Sequence, residues 1–172
     1  MTRFTKNIRV KVENFIKKRY NKYMQNFKLN FEIVPTGAWN NNLRAVLSKK
    51  GWDFIRKDAY ARAGGKCCIC NRPVKRLEAH ERWSYNVETH VQKLVDVIAV
   101  CHACHSVIHI GRTQLLGFED DAIKHFKKVN KCDYQGYVLA LGEATHKSVE
   151  LSTIDSWALD LTWLERYLTN KE

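Results

Sequence analysis

The stretch 100-VCHACHSVIHIG-111 holds two cysteines and three histidines in the nine positions from Cys101 to His109. A tetrahedral ion accepts four ligands, so the segment either serves one site or is divided between two. The answer lies upstream. Cys67-x-x-Cys70 repeats the spacing of Cys101-x-x-Cys104, with thirty residues between the two pairs. A CxxC turn lets two thiolates converge on one ion, and two such turns complete a four-sulfur shell. Within 66-KCCIC-70 only Cys67 has the right spacing to Cys70. Four thiolates leave no open coordination position, so a zinc ion held by Cys67, Cys70, Cys101 and Cys104 supports structure and performs no chemistry. Cys68 and Cys132 are left over and read as ordinary buried or half-buried small residues.

The cysteine pairs bracket a hairpin. Residues 75–85, KRLEAHERWSY, and 90–100, HVQKLVDVIAV, are rich in β-branched and aromatic residues and are separated by NVET. A helix follows from about Cys104. The zinc would therefore staple both ends of a ββα unit, about residues 66–111, whose own core is small. His105 and His109 are four apart and share a helix face, since four residues advance roughly 400°. His80 lies in the first hairpin strand, which the zinc fixes against that helix. The reading is thus two metals, one for the cysteines and one for the histidines. His102, between the knuckle cysteines, is expected to face solvent. His90 is placed near the hairpin turn, and His125 and His146 on amphipathic helices without ligand neighbours.

The ordered set CxxC, EAHE, CxxCH and a further histidine four residues on resembles the His-Asn-His (HNH) nucleases. GWDFIRKDAYARAGGKCCICN, LEAHERWSY, QKLVDVIAVCHACHSVIHIGR and SWALDLTWLERY look more narrowly like small stand-alone HNH proteins of bacteria and phages. The resemblance covers roughly residues 35–166. It implies an α+β fold: a zinc-stapled ββα-metal (HNH) finger embedded in a mainly helical domain. It also implies a metal-dependent endonuclease that hydrolyses DNA phosphodiesters with one divalent ion, Mg²⁺, Mn²⁺, Ni²⁺ or Zn²⁺. His80 matches the family's general base, and His105 and His109 match its helix metal ligands. Asp96, nine residues before His105, stands where many members have an Asn, and its carboxylate can accept from an imidazole N–H. Ala79 stands where many relatives carry a further ligand. Glu81 shares Ala79's side of the strand and can reach the ion instead. Alternatively His80 is the third ligand and Glu81 the base. Arg82 and Arg112 flank the site as phosphate clamps.

A formal charge of +11 makes a polyanion the natural partner, nucleic acid first and an anionic membrane surface second, and the resemblance narrows the first to DNA. The excess is concentrated in residues 1–24, where Lys17, Lys18 and Arg19 are read as nucleic-acid contacts. Phe4, Ile8, Val12, Phe15 and Ile16 recur there at helical spacing. FKLNFEIVP, residues 27–35, alternates as a short strand would, which gives a basic segment over 1–34 and the nuclease domain over 35–172. Two short helices, broken near Gly51 and closed by Gly64 and Gly65, precede the first knuckle. Residues 119–129 and 134–147 read as helices, and the tail from Leu151 is apolar enough to pack back on the body. No apolar run approaches the roughly 18 residues of a membrane span, and no signal peptide is evident, so a cytoplasmic location is expected. The alternative reading is a catalytically weak zinc-stabilised scaffold that binds nucleic acid or inhibits a host protein. Ala79 and Asp96 favour it.

Overall fold

A computed structural model describes Lys11 and residues 27–168. Lys17, Lys18, Arg19 and the helix expected around them lie outside the described residues. The chain is mixed α+β, with one three-stranded sheet among helices. No helix of the described residues is long and apolar enough to cross a membrane.

The hairpin forms where β-branched and aromatic residues predict it. Strand β1, Glu78–Asn86, pairs antiparallel with β2, Val91–Val100. The register runs from Glu78 opposite Val100 to Asn86 opposite Val91 and shifts between Arg82 and Trp83, so two β2 residues face one β1 residue there. A third strand that the sequence reading does not contain, β3 (Ala158–Asp160), adds in parallel to the first residues of β2. The tail therefore does return to the body, as a short strand followed by a 3₁₀ turn over Thr162–Tyr167.

Before the hairpin, helix α1 spans Leu43–Val46 and α2 spans Lys49–Ala63. The break falls at Leu47 and Ser48 rather than at Gly51. Ser48 caps α2 by accepting the Gly51 N–H, which places that glycine in the first turn of α2. Gly64 closes α2 at φ 56°, a left-handed conformation that suits glycine. After the hairpin come α3 (His102–Ile108), α4 (Ile110–Leu115), α5 (Glu119–Asn130) and α6 (Tyr134–Leu151). His109 interrupts the expected single helix: at φ −96° and ψ 50° it ends α3 and begins α4.

Two apolar layers sandwich the hairpin. On one side Leu94, Val97 and Ala99 pack with Leu43, Trp52, Ile55 and Ala59 from α1 and α2. On the other, Val100, Val107, Ile108, Phe126 and Tyr137 form the larger core. Leu29 and Phe31 belong to that second core, being 0% and 7% exposed. Residues 27–35 make no strand. They join no strand of the sheet, and side chains anchor them: Phe31 stacks on Phe126 with centroids 4.9 Å apart. The alternation in FKLNFEIVP thus marks which side faces the core, not a sheet partner.

Candidate functional site

The first knuckle is a tight turn in which Asn71 N–H donates to the Cys67 carbonyl (2.9 Å) and Cys67 N–H donates to the Arg72 carbonyl (3.0 Å). Asn71 takes φ 57°, a conformation asparagine tolerates. In the second knuckle Cys101 is the N-cap of α3. The four Sγ atoms of Cys67, Cys70, Cys101 and Cys104 all lie within 4.8 Å of one another, and Cys70 and Cys101 are 3.8 Å apart. Zn–S bonds of about 2.3 Å at tetrahedral angles put sulfurs roughly 3.8 Å apart, so these four could form a zinc site. Hydrogen bonding from Cys104 draws the Cys67 thiol down to about 4, while the same bond and burial push Cys104 up. Arg72 contributes a cation, with Nη2 3.9 Å from Cys101 Sγ. His125 corrects its expected isolation: its Nε2 is 3.2 Å from Cys104 Sγ, because α5 packs against α3. Cys68 is exposed rather than buried, and Cys132 is half-buried.

The histidines converge as well. One ring nitrogen from each of His80, His105 and His109 lies within 4.8 Å of the others. Ring centroids are 5.4 Å apart for His80–His105, 5.0 Å for His80–His109 and 4.8 Å for His105–His109. Three imidazoles bound to one ion at about 2.1 Å and tetrahedral angles have centroids roughly 5 Å apart, so the donor set fits a single ion. Burial, with smaller contributions from His80, His105 and Arg112, lowers the His109 pKa to about 3. Burial also lowers His105, against the opposing pull of Glu78. Neutral rings are the form that ligates.

Two carboxylates missing from the sequence reading grip these rings. Glu78 Oε2 lies 2.5 Å from His105 Nδ1, and its Oε1 lies 2.9 Å from His102 Nδ1. His102 is 82% exposed but is held by this bond. Burial works to raise the Glu78 carboxyl, yet the two histidines outweigh it and its pKa is lowered. Strand alternation contained the signal: Glu78 is two residues from His80 and so shares its face. Glu32 Oε2 lies 3.0 Å from His80 Nε2. No local pattern marks Glu32, since the contact spans 48 residues.

The other expected residues divide. Asp96 lies opposite Arg82 in the ladder, accepts the Val97 N–H at 2.8 Å and pairs with Arg62 at 3.5 Å. Glu32 occupies the hydrogen-bonding position on His80 considered for Asp96. Glu81 turns to the α1 side of the strand, where its oxygens accept the Leu43 N–H and the Trp83 indole N–H at 3.2 Å. Burial raises the Glu81 carboxyl despite these donors. A cavity of about 480 Å³ runs along the free edge of β1 and is bordered by His80, His105, His109 and Glu81. Arg112 borders it, as do Arg44 and Lys147, which the sequence reading did not single out. Arg82 is exposed outside that lining. No protein-family model, curated protein or solved structure matches the chain.

Proposed function

We propose that the protein is a metal-dependent endonuclease of HNH type, hydrolysing DNA phosphodiesters in the cavity beside β1. The observation that carries this reading is the three-imidazole cluster opening into a cavity edged by Arg44, Arg112 and Lys147. His80, His105 and His109 would hold one divalent ion, and three imidazoles favour Mn²⁺, Ni²⁺ or Zn²⁺ over Mg²⁺. Such an ion supplies Lewis-acid polarisation of a phosphoryl oxygen and offsets charge on the leaving oxygen. With His80 among the ligands, Glu81 is the proton acceptor. Its burial raises the carboxyl above its ordinary value, which makes it a stronger proton acceptor. The guanidinium groups of Arg44 and Arg112 would bind the phosphates on either side of the cut, where a planar fork pairs two oxygens. The cysteines would bind structural zinc and keep the two halves of the cluster together.

The test is conversion of supercoiled plasmid to open circles by the purified protein in Mn²⁺ or Mg²⁺, and its loss in His109→Ala. One observation favours a second reading, a nucleic-acid-binding scaffold of low activity. Asp96 is held by Arg62 and leaves the imidazole cluster without the group many HNH proteins use there. That reading predicts retarded plasmid on a gel with no cleavage in any divalent ion.

A further inference from the structure

Glu32 precedes the whole ββα unit, yet the fold brings it to His80 on a fixed support. Its own N–H donates to the Ile108 carbonyl at 2.9 Å, one residue from His109. Three residues earlier, Leu29 is clamped by Asn130, whose Oδ1 accepts the Leu29 N–H at 3.0 Å while its Nδ2 donates to the Leu29 carbonyl at 2.8 Å. The clamped Leu29 and Phe31, two residues on, are both buried in the core. The carboxylate is therefore delivered by packed backbone.

A carboxylate only accepts hydrogen bonds, so the nitrogen facing it must carry the proton, and the other nitrogen of a neutral ring then has the lone pair. Glu32 faces Nε2 of His80, whereas Glu78 faces Nδ1 of His105. We propose that Glu32 is a positioning residue that holds His80 as the Nε2–H tautomer, so that His80 ligates through Nδ1 and His105 through Nε2. This rests on the three-histidine ion site proposed above and adds to it a residue from outside the ββα unit and a mixed tautomer pattern. Carboxylates hydrogen-bonded behind ligating histidines fix the ring and increase its donor strength, and losing one costs roughly 10- to 100-fold in metal affinity. His80, 4% exposed, has little water to replace that partner.

The experiment uses the full chain carrying one equivalent of zinc, titrated with further Zn²⁺ by calorimetry. Wild type takes up a second equivalent and His109→Ala does not. Glu32→Gln weakens the second equivalent roughly 10- to 100-fold, and Glu32→Ala at least as much, with melting temperatures unchanged before the second ion is added. Long-range ¹H–¹⁵N correlation of the loaded wild type gives the readout that a merely structural role would not move. His80 is protonated at Nε2 and His105 at Nδ1, and Glu32→Ala, which removes the acceptor, disturbs the pattern of His80 alone. A Glu32→Gln protein that binds the second zinc as wild type does, or a His80 protonated at Nδ1, overturns this inference and leaves the ion site standing. A wild type that binds no second zinc overturns both.

Discussion

Cys70 precedes the hairpin and Cys101 follows it at the same open end, where Glu78 lies opposite Val100; thirty residues of chain separate them, and their Sγ atoms are 3.8 Å from each other. A zinc ion bound by them would hold the strand bearing His80 against the helix bearing His105. Replacing Cys70 or Cys101 with Ser is expected to lower zinc content and melting temperature together, because the ligand lost to zinc is also a staple lost to the fold. Elemental analysis alongside thermal denaturation checks this, and a variant with normal stability and no zinc would refute it.

Leu29 is fully buried in the core that delivers Glu32. Leu29→Ala should destabilise the protein by about 2–5 kcal/mol, the usual cost of a cavity at such a site. Chemical denaturation measures it. A loss below about 1 kcal/mol would mean that residues 27–35 are not part of the body.

Protonation gives a pH dependence of definite sign. His109 has its pKa lowered from an ordinary 6.5 to about 3 in the folded protein, chiefly by burial. The unfolded chain therefore binds more protons between those values. The stability associated with neutral His109 is fully present above about pH 6.5 and is lost progressively as pH falls toward 3. Denaturation midpoints without added divalent ion should fall over that window, and His109→Gln should flatten the slope. An equal slope in the variant would contradict the assignment.

Much of the site was legible because it depends on spacing. Two CxxC pairs and histidines four apart specify geometry locally, and β-branched residues around NVET specify the hairpin that joins them. What stayed hidden depends on tertiary packing. Glu32 reaches His80 because Leu29 and Phe31 find the far core, and His125 reaches Cys104 because α5 lies on α3. The three residues of β3 are too few for a recognisable period, and form because β2 offers an edge. Asp96 shows the converse failure: a sequence position suggests a role, but the register shift at Arg82 and the guanidinium of Arg62 fix where its carboxylate goes.

Glu81 and Trp83 make a separable case. Glu81→Gln keeps one acceptor oxygen, which in the Oε2 position serves both the Leu43 N–H and the Trp83 indole, but removes the basic carboxylate. The expected outcome is a folded protein with normal divalent-ion binding and a plasmid-cleavage rate lower by roughly 10²- to 10⁴-fold. Undiminished cleavage would return the role of base to His80.

Anomalous diffraction from crystals grown with Zn²⁺ and soaked in Mn²⁺ tests the division of labour between cysteines and histidines most directly. The expected result is a zinc peak enclosed by Cys67, Cys70, Cys101 and Cys104, and a distinct manganese peak among His80, His105 and His109. A zinc peak alone, with the three imidazoles binding neither metal, would contradict it.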